Sequence, residues 1–197
     1  MAHGPDREAP PEWRGTVRAA AAGPTPDQAW ALLRDFCSLD KWVPSVQTCR
    51  RLEGADGRPG CVRYCAGPVN MAAPGEAVGW SKQSSRKRGT PPTPVLRFRP
   101  PYPPYRKHGN FGSKERLVEV DAAGRSYSYE MVETNKGFGR YRATMGVEAD
   151  PAGCAVTWSF EADPVKGWTL QGFVGFLEKL VRGVAKRLEE EIMHGER

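Results

Sequence analysis

The sequence predicts an α+β fold in which a strongly curved antiparallel β-sheet wraps around a long C-terminal helix. Three observations carry this. Apolar residues recur at helical spacing from about 169 to 193. Before them runs a series of period-2 segments separated by turn sequences such as "ADGRPG", "DAAG", "TNKG" and "DPAG". The resulting order is strand, helix pair, about six strands and a long helix. A bent sheet wrapped on that helix is the economical way to bury its apolar stripe. Ferredoxin-like and open α+β sandwich arrangements fit the same pattern.

The elements follow in order. "WRGTVRAAAA" alternates Trp13, Gly15, Val17 and Ala19 against Arg14, Thr16 and Arg18, as a half-buried strand does. In "GPTPDQAWALLRDF" Thr25 is placed to cap a helix, with Pro26 in the first turn and Gln28 completing a capping box. Ala29, Leu32, Leu33 and Phe36 form its apolar stripe, and "SLDKW" adds a short turn before Pro44 stops it. "VQTCRRLEG" and "GCVRYCAG" read as a hairpin, followed by strands at "GEAVGWSK", "ERLVEVD", "RSYSYEMVE", "FGRYRATMGVEA" and "CAVTWSFEAD". The final helix presents Leu170, Phe173, Val174, Leu177, Leu180, Val181, Val184, Leu188 and Ile192.

The 197 residues suit one domain with an internal cavity. Residues 1–12 read as a disordered N-terminal tail without a secretory h-region, and 13–194 as the domain. No apolar stretch is long enough to span a membrane, so no membrane partner is expected. Five cysteines without a CxxC pair suit reduced thiols in a cytoplasmic protein. The three histidines lie at positions 3, 108 and 194, outside any ligand motif, so neither a metal site nor a histidine-based triad is expected. Proton chemistry would fall to carboxylate, Tyr and Arg side chains.

Net charge is +6, yet residues 83–113 alone hold seven Lys and Arg, no Asp or Glu, and seven of the 18 prolines. Without that segment the chain has 22 basic and 23 acidic residues, a net charge of −1. The basic character belongs to an insert, not to the domain. Its composition is that of a disordered tract. Polyproline recognition, nucleic-acid attachment and translated intron are readings it admits, and an inert passenger is the one we expect.

Alternation also sets faces. Taking the apolar face as concave gives a pocket lined by Tyr129, Tyr141, Met145, Trp158 and Phe160. Arg63 shares a face with Cys61 and Cys65, while Val62 and Tyr64 share the other, so the pattern alone leaves its direction open.

The stretches "WRGTVRA…TPDQAWALLRDFCSLDKWVPSV…CRRLEG…GCVRY", "SKERLVEVD…SYSYEMVE" and "YRATMGVE…WSFEAD…RLEE" resemble the lachrymatory-factor synthase-like family of plants. That family lies within the START/birch-pollen-allergen-like (SRPBCC, polyketide-cyclase-like) superfamily. The resemblance covers about 13 to 192 outside the insert, and implies a helix-grip fold with Arg63 turned inward. It also implies an isomerase or lyase without cofactor, which rearranges a small alkenyl sulfenic acid into a thial S-oxide. On the matching motifs Arg63, Glu115 and Tyr141 would be catalytic. Tyr129, Met145, Trp158, Phe160 and Leu180 would contact substrate, Leu180 standing where the family's enzyme has Trp. A carboxyl buried beside aromatic rings and a guanidinium feels opposed influences, desolvation favouring its neutral form and the cation its charged form. In such a setting a carboxyl can accept and return a proton. A carrier or sensor of a small hydrophobic plant metabolite or hormone is the alternative, since one fold hosts both. Nucleic acid is not an expected partner.

The family runs unbroken through W-x-K-E-[KR]-L, where this chain has "GWSK" at 79–82 and "SKERL" at 113–117. The insert thus interrupts a strand next to Glu115, and deleting 83–114 would restore W-S-K-E-R-L.

Overall fold

The computed structural model describes residues 12–67 and 111–195. Seven strands form one antiparallel sheet: β1 (Trp13–Ala22), β2 (Thr48–Glu53), β3 (Val62–Gly67), β4 (Phe111–Asp121), β5 (Ser126–Thr134), β6 (Tyr141–Asp150) and β7 (Gly153–Ala162). Their order is β1-β7-β6-β5-β4-β3-β2, so the sheet is curved but unclosed, with β1 and β2 as its edges. Helix α1 (Pro26–Leu33) and the short α2 (Leu39–Trp42) follow β1, and α3 (Leu170–Gly195) ends the fold. The expected α+β, helix-grip architecture is what forms. The expected strand at "GEAVGWSK" and nearly all of the basic insert lie outside the described residues; residues 111–113 belong to β4.

Local chemistry explains the elements. The Thr25 hydroxyl accepts the Gln28 N–H at 3.3 Å, and the Gln28 side chain accepts the Thr25 N–H at 2.9 Å. This reciprocal box satisfies two donors that the helix start leaves unpaired. Helix α1 buries Ala29, Trp30 and Leu33, with Leu32 only half-buried. Phe36 belongs to a separate 3-10 turn, Phe36–Ser38, and is fully buried there.

Helix α3, 26 residues and about 39 Å long at 1.5 Å per residue, packs on β1 and β7. Phe173, Leu177, Val181, Val184 and Leu188 form its buried stripe, whereas Leu170 at the start is exposed. Arg187 donates to the carbonyls of Asp40 and Lys41, which ties the C-terminal end of α2 to α3. The inner sheet face supplies Tyr127, Tyr129, Tyr141, Met145, Val156, Trp158 and Phe160 to the same core. The outer face carries charge pairs such as Arg116–Glu130 at 2.9 Å.

Gly67 and Phe111 are cross-strand partners at one end of β3 and β4. Residues 68–110 therefore leave and rejoin the sheet at adjacent positions. Replacing these 43 residues by a four-residue turn should preserve the fold and raise unfolding free energy by about 2 kcal/mol through loop closure alone. A fall in denaturation midpoint would mean that the segment supplies contacts the core needs. The turn should be joined ahead of Gly112. Deletion of 83–114 would set Trp80 at that position, where even a Cβ would meet the Tyr64 hydroxyl at 2.5 Å and its ring at 2.7 Å.

Candidate functional site

Arg63 and Glu115 are brought together by strand register. They are direct cross-strand partners on β3 and β4, so their side chains emerge on the same face. That face is the inner one: Arg63 is 0% exposed and Glu115 7%. Arg63 Nε donates to Glu115 Oε2 at 2.8 Å, and Nη2 lies 2.6 Å from the same oxygen, without hydrogen-bond alignment. Nη1 donates to the Phe36 carbonyl at 2.6 Å. The guanidinium carbon lies 3.9 Å from the centroid of the Phe36 ring and 4.9 Å from that of Tyr129. A planar cation held by a carboxylate, a carbonyl and two ring faces is fixed in place.

The other Glu115 oxygen, Oε1, accepts from the Ser113 hydroxyl at 2.8 Å. Ser113 sits two residues earlier on the same face of β4, at the last position of the basic segment. The β4–β5 register shifts between Lys114 and Glu115. Such an irregularity re-aims a strand side chain, here the carboxylate.

Glu115 opens onto a cavity of about 90 Å³ between the sheet, α2 and α3. Tyr129, Tyr141 and Trp158 wall it on the sheet side, Leu39 and Val43 come from the α2 region, and Phe173, Phe176, Leu177 and Leu180 from α3. Gly67 lies in the wall because the Ser45 carbonyl approaches so closely that a Cβ would fall 1.8 Å from it.

Burial pushes the Tyr141 and Tyr129 phenols well above their ordinary range, so both stay protonated and able to donate. The Trp158 Nε1 donor is buried, and it interacts with the Tyr141 side chain without the alignment of a full hydrogen bond. The cavity thus combines one carboxylate, the Lys136 side chain, an indole N–H and two phenol hydroxyls among largely apolar side chains. Pockets that orient a small molecule combine few polar groups with an apolar lining in this way.

Five of the eight residues expected in the site reach the cavity wall: Glu115, Tyr129, Tyr141, Trp158 and Leu180. Three do not. Arg63 is enclosed behind Glu115, with its donors directed at that carboxylate and the Phe36 carbonyl, so none reaches a ligand as expected. The Met145 sulfur accepts from the Tyr127 hydroxyl at 3.3 Å, inside the core. The Phe160 ring packs 5.0 Å from Phe173 under the start of α3.

Sequence reasoning missed Ser113, assigned to the insert, and Phe138, assigned to the start of a strand that begins only at Tyr141; Phe138 packs on Tyr141 at 5.3 Å and lines the cavity. It also missed Phe176, which is adjacent to the expected α3 stripe. The cysteines pair in space although not in sequence. The sulfurs of Cys49 and Cys65 are 3.3 Å apart, and those of Cys37 and Cys61 3.7 Å. Asp56 joins the second pair, the only group of three potential metal donors within 4.8 Å among the described residues.

A family model for "Polyketide cyclase / dehydrase and lipid transport" matches residues 13–192. Solved structures share the fold at low identity. The Bacillus cereus protein XoxI is 19% identical with a TM-score of 0.58, covering 93% of this chain and 96% of its own. An uncharacterised Bacillus thuringiensis protein is also 19% identical with a TM-score of 0.58, covering 91% and 98%. Major latex-like protein 151 of Panax ginseng is 16% identical with a TM-score of 0.56, covering 88% and 97%. No helix among the described residues is long and apolar enough to cross a membrane.

Proposed function

The chain belongs to the polyketide cyclase/dehydrase and lipid-transport family, and from that premise we propose that it isomerises a small, largely apolar molecule by proton transfer, without a cofactor, as a lachrymatory-factor synthase-like enzyme. The observation that carries this reading is the single carboxylate, Glu115, held from behind by Arg63 and Ser113 with its face to an apolar cavity. A carboxylate clamped in this way keeps one aim, and Oε1 retains a lone pair for a substrate proton.

For an alkenyl sulfenic acid the step balances without any other reactant. Glu115 takes the S–O–H proton and returns it to the alkene carbon remote from sulfur. The C=C bond moves to C=S, and the product is the thial S-oxide. Tyr141, Tyr129, Trp158 and Lys136 line the cavity as donors available to the oxygen as its charge grows. Arg63 touches no substrate in this scheme and is a positioning residue.

Cavity size favours a small substrate over a lipid. About 90 Å³ is well under the roughly 300–1,000 Å³ of pockets that bury drug-sized ligands. Leu180, where the resembling enzyme has Trp, gives this cavity a longer reach along α3, which suits a longer alkenyl chain. The test is to generate sulfenic acids of increasing chain length in the presence of the protein and look for thial S-oxides by mass spectrometry. Product with the longer chains supports the reading. Tight binding of lipids with no turnover of any sulfenic acid would move the protein to the carrier class.

A further inference from the structure

A second chemical centre lies beside the cavity and takes no part in the proton transfer. Cys49 is on edge strand β2, directly opposite Cys65 on β3, with the sulfurs 3.3 Å apart. Cys65 is buried and forms part of the cavity wall, whereas Cys49 is half-buried at the sheet edge. We propose that this pair is a two-cysteine redox site that reduces a small hydroperoxide, with Cys49 as the attacking sulfur and Cys65 as the resolving one.

The two sulfurs differ in access, as such a division of labour requires, Cys49 being half-buried and Cys65 buried. Cys49 is held below its ordinary value, first by its hydrogen bond with Cys65, then by the Arg63 charge and a backbone hydrogen bond from Leu39; burial and Glu115 oppose this. Cys65 is pushed well up, first by the same hydrogen bond and then by burial. Cys49, half-buried on the edge strand, is the sulfur a peroxide can reach, and Cys65, buried opposite it, is placed to resolve. The Cys37–Cys61 pair is a built-in contrast at 3.7 Å, because burial is the main influence on both thiols and raises both.

The chemistry closes on named reactants. The Cys49 thiolate attacks the terminal peroxide oxygen, the O–O bond breaks, and the alkoxide or hydroxide leaves and takes a solvent proton. Cys49 becomes a sulfenic acid. Cys65 sulfur then attacks Cys49 sulfur and the S–O bond breaks. Hydroxide leaves with the Cys65 proton as water, and a Cys49–Cys65 disulfide remains. Two thiols lose two electrons and the peroxide gains two. An external thiol would return the pair to its reduced form. Disulfide formation draws the Cys65 sulfur towards β2, so the wall of the ligand cavity changes with oxidation state.

The test uses the full reduced chain and hydrogen peroxide, with peptide mapping of the disulfide. The expected result is a Cys49–Cys65 link formed at least about tenfold faster than any Cys37–Cys61 link. Cys65→Ser should stop at a Cys49 sulfenic acid that dimedone captures, and Cys49→Ser should lower peroxide consumption about tenfold or more. Cys37→Ser should change neither. A preferential Cys37–Cys61 link, or peroxide consumption unaffected by Cys49→Ser, would overturn the proposal. So would dimedone capture at Cys65 in preference to Cys49. None of these readouts depends on sulfenic-acid isomerisation, so this site stands or falls apart from the function proposed above.

Discussion

Replacing Arg63 by leucine is expected to lower unfolding free energy by about 3–5 kcal/mol, the cost of leaving one member of a buried ion pair without the other. For a chain of this size that is a fall in Tm of roughly 10 °C. The guanidinium is fully enclosed and its charge is met by Glu115 at 2.6–2.8 Å, with the Phe36 carbonyl and two aromatic faces completing its shell. Leucine removes the cation and leaves the Glu115 carboxylate desolvated against an apolar wall. The double variant Arg63→Leu/Glu115→Gln removes both charges and should recover most of the loss, because two neutral side chains do not carry the burial penalty of one unpaired ion. Chemical denaturation of both variants measures the coupling directly. A single variant within about 1 kcal/mol of the parent would show that the pair behaves as an exposed one. If the single variant does not fold, a folded double variant still supports the pairing, and failure of both refutes the charge-based account.

Much of this architecture was legible in the sequence because it depends on short-range rules. The Thr25–Gln28 capping box, the α3 stripe and the strand alternation each rest on residues within a few positions of one another. The inward aromatic face followed in the same way, since a period of two assigns Tyr129, Tyr141 and Trp158 together. What alternation could not decide was which face of β3 is inner. Val62 and Ala66 are buried, as Cys61 and Cys65 are, so both faces of that strand read as apolar. The resemblance, not the pattern, turned Arg63 inward.

Depth was not legible at all. An inward side chain meets either a cavity or another side chain, and that depends on partners distant in sequence. Arg63 was expected at the ligand and instead backs Glu115, because Phe36, 27 residues away, supplies its other acceptor. Phe160 is covered by Phe173, and Met145 by its contact with the Tyr127 hydroxyl. The thiol pairs were hidden for the same reason. Cys49 and Cys65 lie 16 residues apart and meet only through the β2–β3 register, so a search for CxxC spacing could not find them.

The proton-transfer reading makes its sharpest demand on Glu115. Glu115→Gln should lower kcat by about 10²–10⁴-fold, the usual contribution of a positioned acid–base group, while substrate KM changes little. Glutamine keeps the length and can still accept from Ser113 through its amide oxygen, but it cannot carry the proton. The substitution also strips Arg63 of its counter-charge, so a loss of stability should accompany the loss of rate. Activity must therefore be measured well below the variant's own Tm. The Arg63→Leu/Glu115→Gln double variant supplies the control: it should be more stable than Glu115→Gln alone and equally inactive. Stability then recovers from the single to the double variant while the rate does not, which unfolding of the site cannot mimic. Tyr141→Phe, which removes one donor and leaves the carboxylate in place, should cost less than Glu115→Gln. If Glu115→Gln turned over sulfenic acid at the parent rate, or if the double variant regained activity together with stability, Glu115 would be a structural partner of Arg63 and the catalytic group would lie elsewhere in the cavity.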